Sequence, residues 1–380
     1  MTIPSVSRRF TLLAAGDLEW RSDVEPWSLL LDFRDSHDGW LPLPLVRTKR
    51  TPGPDALKDA GATDVELHAN ESQKHPLSFD DKVTEARYPF LKLLDELRSA
   101  DLTFANLEMP LSSRAQKSGA FLASAEFAQA LRWAGVDVVS LANNHTFDAG
   151  EWGLADTLES LRLCGIGSVG AGPNLPAATK PFLKTVGNFT IGLLGYDQLI
   201  GLAGRTAFAG ASQAGVAPLS PDLVCDDIRR LRKKADAVVV SCHWGQENSF
   251  EVQPMARRLA HRFFDAGADV ILGHHPHVPQ GVEVRDGKVV FYSLGNFVFG
   301  HGHDYWDDNI LARINFVEGQ VAVVDILPIA GHRADVAQPR LLRGPRAQRL
   351  LRLIKARSRE LDTTVTIQGN VGRLRLGGTR

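Results

Sequence analysis

Two apolar runs, Ala237–Cys242 and Val270–Leu272, constrain this chain most. Each is too short and too evenly apolar for a surface helix and reads as a strand buried on both faces of a parallel sheet. Each runs straight into histidine: His243 after the first, and His274, His275 and His277 after the second. A third strand, Val289–Leu294, leads to Gly295-Asn296-Phe297 and then to His301, His303 and Asp304. Ligands of open α/β sheets bind at the carboxyl ends of strands. Imidazoles gathered there predict a metal site, an acid/base site, or both.

The rest of the chain alternates strand and helix patterns, which predicts a layered α/β domain. Phe10–Ala15 reads as a strand ending at Gly16-Asp17, and Asp101–Ala105 as one ending at Asn106-Leu107-Glu108. Val136–Leu141 leads to Asn143-Asn144-His145 and Asp148. Apolar spacing predicts helices over Tyr88–Ala100, Ser124–Ala134, Glu151–Cys164, Pro221–Lys234, Gln253–Ala266 and Arg340–Leu361. Residues 20 to 87 show no periodicity but carry Trp20, Trp27 and Trp40. A segment that long is expected to be a functional lid, here with tryptophans for a substrate. The expected organisation is one domain over 1–334 bearing that insertion. Residues 335–380 add a helix and short strands packed on the same domain.

Composition excludes several classes. A net charge of -1 gives no electrostatic case for nucleic acid. No apolar run reaches the roughly 20 residues of a membrane span. Ser7-Arg8-Arg9-Phe10 superficially resembles a twin-arginine signal, but the apolar run behind it is short and reads as strand one. Cys164, Cys225 and Cys242, odd in number and widely spaced, predict no disulfide framework and a reducing, cytoplasmic setting.

Taken in order, six blocks resemble the bacterial capsule-synthesis (CapA, poly-γ-glutamate biosynthesis) family, a branch of the calcineurin-like metallophosphatases. They are Gly16-Asp17, Asn106-Leu107-Glu108, Ala142-Asn143-Asn144-His145, His243-Trp244-Gly245, Gly273-His274-His275-Pro276-His277 and Ser293-Leu294-Gly295-Asn296-Phe297. The resemblance covers roughly residues 8 to 328. It implies a sheet sandwich flanked by helices with a divalent ion (Ca2+, Mn2+ or Zn2+) at the strand ends. Asp17, Glu108, Asn144, His243, His275 and His277 match its metal ligands, and His145 its catalytic histidine. In the fifth block the His-x-His of the family fits His275 and His277, whereas the preceding Gly-His pairing fits His274. Trp20, Trp27, Trp244, His274, Asn296 and His303 are the expected substrate contacts.

Two departures stand out against that pattern. Asp17-Leu18-Glu19 replaces Asp-x-His, and Glu108 stands where a bridging Asp is usual. Losing an imidazole and gaining oxygen favours a single or harder ion over a standard two-metal phosphoesterase. Metal-assisted hydrolysis of a phosphoester or γ-glutamyl amide, proton transfer at a peptide Cα, and a non-catalytic assembly role all remain open. Because some CapA-like enzymes epimerise lasso-peptide precursors, the specific expectation is a peptide epimerase. His145 with Asp148, and His301 with Asp17, would be its acid/base pairs.

Overall fold

The computed structural model describes residues 8–19, 86–114, 122–199, 207–299, 308–330 and 338–376. The expected lid, apart from its last two residues, lies outside these. So do Trp20, Trp27, His301, His303 and Asp304.

In chain order the first strands are β1 (Arg9–Glu19), β2 (Leu102–Leu107), β3 (Val138–Ser140), β4 (Gly167–Val169), β5 (Ala171–Gly172), β6 (Phe182–Val186) and β7 (Phe189–Asp197). Then come β8 (Gly215–Val216), β9 (Ala237–His243), β10 (Val270–His274), β11 (Val282–Arg285), β12 (Lys288–Phe291) and β13 (Asn296–Phe299). Last are β14 (Asp308–Val317), β15 (Gln320–Ala330), β16 (Thr366–Gln368) and β17 (Val371–Arg375). One sheet has the order β16-β17-β15-β14-β1-β2-β3-β4, with β13 also paired to β1. The other runs β11-β12-β10-β9-β7-β6, and β5 with β8 forms a separate small ribbon. The site strands β1, β2 and β3 are parallel to one another, as are β7, β9, β10 and β12.

The two sheets pack face to face. Alternation along each strand sorts its side chains between two cores. Phe10, Leu12 and Ala14 of β1 meet Ala237 and Val239 of β9 and Val270 and Leu272 of β10 between the sheets. Leu13 and Ala15 face outward instead, onto helices α1 (Glu126–Ala134) and α2 (Gly150–Leu163). Val238, Val240 and Cys242 face outward from the second sheet onto α3 (Pro221–Arg232) and α4 (Pro254–Ala266). Both faces of β9 are therefore buried, which is why its sequence shows no polar alternation. The result is the layered α/β sandwich, sheets inside and helices outside. The last helix, α5 (Gly344–Arg359), sets Leu350, Leu351 and Ile354 into the inter-sheet core, and β17 extends the first sheet beside β15. Among the described residues no helix is long and apolar enough to cross a membrane.

Three elements differ from expectation. Tyr88–Leu93 is a 3-10 helix and only Leu94–Arg98 is α. Its N-terminus has no side-chain cap, and tighter i→i+3 bonding takes up the orphaned groups. β1 runs from Arg9 to Glu19, past both ends of the expected Phe10–Ala15, with Phe10 in the core as expected. The strand expected over Val289–Leu294 stops at Phe291, and the chain crosses to the other sheet, where Asn296–Phe299 pairs with β1.

That crossing is tight. Asp17 N–H donates to the Gly295 carbonyl at 3.0 Å, and a Cβ on Gly16 would lie 1.8 Å from the same oxygen. Gly16→Ala is therefore expected to push β13 off β1 and cost at least about 2 kcal/mol. Chemical denaturation measures it, and an unchanged midpoint would show that the crossing yields without cost.

Candidate metal centre

The carboxyl ends of β1, β2, β9 and β10 and the loop after β3 converge on one spot between the sheets. Strand parity decides which side chains reach it. On β2 and its continuation, Asn106 and Glu108 share a face. Asn106 donates through Nδ2 to Asp17 Oδ1 at 2.9 Å and to Glu108 Oε2 at 3.3 Å, so one amide aligns both carboxylates. Asn143 Nδ2 in turn donates to Asn106 Oδ1 and to the Leu107 carbonyl, while its Oδ1 accepts from His145 N–H and Thr146 Oγ1. This chain of amides ties the loop after β3 to the carboxylates of β1 and β2. Neither asparagine was among the expected site residues. Their i, i+2 spacing from Glu108 and His145 is the signal that marks them.

His243 Nε2 lies 2.8 Å from Asn144 Oδ1 and 3.5 Å from Glu108 Oε1. His277 Nε2 lies 3.9 Å from the same Glu108 oxygen, and its Nδ1 bonds Asn296 Oδ1 at 2.8 Å. Asp17 takes Nδ1 of His274 at 3.0 Å and the backbone N–H of His275 at 3.3 Å. His275 and His277 adopt φ of 92° and 58°. Non-glycine residues rarely sit there, and such strain persists only where the surroundings enforce it.

Two groups of ligand atoms result, Asp17 with Glu108 and His277, and Glu108 with His243 and His275, each set within 4.8 Å of one another. Glu108 belongs to both. The geometry thus gathers ligand atoms enough for two cations sharing one carboxylate. Among the described residues Glu19, which stands in for the missing imidazole, belongs to neither group.

The donors fit a divalent ion. Glu108 is 1% exposed and its Oε1 makes no hydrogen bond. Buried His275 Nδ1 has no hydrogen-bond partner either. Burial pushes the Glu108 carboxyl well above its ordinary range, and the charges of Asp17, Glu19, Asp197 and Glu247 push it further. Burial alone would raise Asp17 too, but hydrogen bonds from His274 and His277 hold it well below its usual value. Burial, then neighbouring His275, drives His243 down, while burial and His277 bring His275 to about 3. Neutral His243 and His275 beside carboxylates are what a cation needs, whereas at His277 burial is outweighed by the bond to Asp17, which raises it. The mix of nitrogen and carboxylate donors suits Mn2+ or Zn2+ better than an all-oxygen Ca2+ cage.

His145 Nδ1 bonds Asp148 Oδ2 at 2.8 Å, and His145 directly follows Asn144, whose Oδ1 meets His243 Nε2. The His145–Asp148 pair is thus carried by the loop that brings Asn144 to the candidate ligands. The other expected pair, His301 with Asp17, involves a residue outside those described. Asp17's described partners are Asn106, His274, His275 and His277.

Three expected substrate contacts are buried side chains. Trp244 is 1% exposed, stacks on Tyr292 at 6.1 Å and donates Nε1 to the Tyr292 carbonyl. It lies on the same face as core residue Cys242, one step out of phase with His243, so it packs under the α-helices. His274 is buried behind Asp17, and Asn296 orients His277. Both bond candidate ligands, Asp17 and His277 respectively.

Asp197, at the end of β7 beside His243, went unnoticed in the sequence. Burial pushes it up to about 8, against backbone N–H groups of Leu199 and Gln198 that lower it, and its Oδ2 has no hydrogen-bond partner. A folded pKa above the unfolded value means the native state holds the proton longer. In metal-free protein that stability is complete below the ordinary value of 3.8 and is lost as pH rises towards 8. Metal-free Asp197→Asn should therefore gain on the parent across that window in thermal melts. A constant difference would exclude Asp197 as the titrating group.

Comparison with known proteins gives the family. Residues 57–301 match the family model described as bacterial capsule synthesis protein PGA_cap. The chain is 35% identical to the PGA biosynthesis protein CapA of Bacillus subtilis over 63% of this chain and 64% of that one. It is 34% identical to the capsule biosynthesis protein CapA of Bacillus anthracis over 64% of this chain and 61% of that one. It thus spans just under two thirds of each relative's length. A calcineurin-like phosphoesterase from Bacillus subtilis aligns over 88% of this chain and 89% of its own, at 12% identity and a TM-score of 0.40, too low to bear on the chemistry. With its matched region covering well over half its length, the chain belongs to the bacterial capsule synthesis PGA_cap family.

Proposed function

We propose that this protein is a divalent-metal-dependent hydrolase that cuts a γ-glutamyl amide or phosphoester bond in capsule or poly-γ-glutamate metabolism. The observation that carries this reading is Glu108, buried, lacking a hydrogen bond on Oε1 and common to two ligand groups. Ions held at such a paired site supply Lewis acidity that acidifies water and polarises the bond to be cut. Asp17 and His277 would hold one ion, and Asn144, His243 and His275 the other. His145 faces Asp148 through Nδ1–H, which leaves Nε2 as the atom that passes a proton to the departing amine or alkoxide. Asp148 fixes that tautomer, and Asn143 fixes the loop that carries both. The polymer assignment rests on relatives named for PGA and capsule biosynthesis.

Epimerisation at Cα uses the same His145–Asp148 pair but needs a second base on the opposite face. The expected one, His301, lies outside the described residues, and no observation favours that route. One experiment separates the two. Full-length protein with Mn2+ is incubated with γ-glutamyl oligomers, peptides and a chromogenic phosphoester, in H218O and in D2O. Hydrolysis places 18O in a new carboxylate or phosphate. Deuterium at Cα with no new termini would overturn the hydrolase reading.

A further inference from the structure

One carboxylate near the centre has no place in the pair of cation positions. Glu247 follows β9 in an exposed loop, yet it forms a third ligand group with His275 and His277, again within 4.8 Å. The loop is seated for this. Asn248 N–H donates to the Pro276 carbonyl at 2.9 Å, and a Cβ on Gly245, itself at φ 96°, would lie 3.5 Å from the Pro276 ring. Pro276 is the residue between the two histidines, so Glu247 is anchored to the very turn that presents them.

The third group differs from the inner two in one respect. The inner groups are buried throughout, whereas the outer one has an exposed carboxylate over buried imidazoles. It also borrows its imidazoles from the inner groups, one from each. An ion on Glu247 draws on the same two imidazoles that the inner groups use, so the outer group competes with the inner pair for them. A position that is accessible, competent and in competition with the final state is a way-station.

We propose that Glu247 is a transfer ligand, which captures a divalent cation at the mouth with His275 and His277 and hands it inward to Glu108. The inference rests on the divalent-ion reading of the centre. An incoming hydrated ion loses water in stages, exchanging it first for an exposed carboxylate and then for buried ligands. Glu247 stabilises the half-desolvated stage and is no longer a ligand once the ion has moved in. Lowering a barrier between two unchanged end states speeds both directions equally, and this gives the proposal its signature.

Full-length metal-free protein and its Glu247→Gln variant are mixed with Zn2+ in a stopped-flow instrument, using a fluorescent chelator to follow capture and, in excess, release. Both rate constants are expected to fall about tenfold in the variant, with Kd changing by less than about twofold. The substitution is on an exposed loop and removes only charge. A weakened Kd with unchanged release would make Glu247 a mere attracting charge, and a weakened Kd with faster release a resident ligand. Unchanged rates would make it a bystander. Each of those overturns the proposal while leaving the centre intact. Failure of the parent protein to take up Zn2+ or Mn2+ would instead overturn the hydrolase reading itself.

Discussion

Glu108→Gln is expected to empty both cation positions at once while leaving the metal-free protein as stable as before or more so. The two halves of this result have one cause. Without metal, burial and four neighbouring carboxylates oppose ionisation of Glu108, so the group is an electrostatic burden at neutral pH. A neutral amide of the same shape removes that burden. With metal, the carboxylate is the only ligand common to both groups, and a glutamine offers one weak oxygen in its place. Binding to the native state alone raises stability by RT ln(1 + [L]/Kd), about 2.7 kcal/mol at a hundredfold excess over Kd. The parent melting temperature should therefore climb with added Mn2+ while that of the variant stays flat, and elemental analysis should show the matching loss of bound metal. A variant that is less stable without metal and still shifts with Mn2+ would mean that Glu108 is a structural acid.

His145→Ala should do the opposite, keeping the metal and losing the turnover. Its imidazole appears in none of the ligand groups among the described residues, and its described partner is Asp148. A positioned general acid or base is worth about a hundredfold to ten-thousandfold in rate, and kcat should fall by that much with metal content unchanged. Asp148→Asn removes the orienting partner rather than the proton carrier and should cost less, about tenfold to a hundredfold. The loss in His145→Ala should shrink for substrates with better leaving groups, which need less protonation. Equal losses across leaving groups would move His145 from proton transfer to substrate placement.

The parts legible in the sequence were those with a local signature. A strand buried on both faces shows as an unbroken apolar run, so β9 and β10 and the histidines at their ends were visible directly. Glu108, Asn144, His243, His275 and His277 could be named as candidate ligands, because each sits within a few residues of such a run. Trp244 was misplaced although its signal was there. Period two puts it on the Cys242 face, away from His243. The crossing at Gly295–Asn296 was not legible, because a four-residue strand chooses its partner by long-range packing, here 279 residues from β1 at the Asp17–Asn296 register. Asp197 was missed because a lone Asp after a strand reads as a turn former. Only its pairing beside His243 gives it meaning.

The central claim is that Glu108 is shared by two ions. Anomalous diffraction from crystals soaked in Mn2+ tests it most directly. Two peaks are predicted, about 3.5–4 Å apart, one beside Asp17 and His277, the other beside Asn144, His243 and His275, with Glu108 between them. A centre without anomalous peaks at saturating Mn2+, or one with a single peak that Glu108 does not touch, would contradict it.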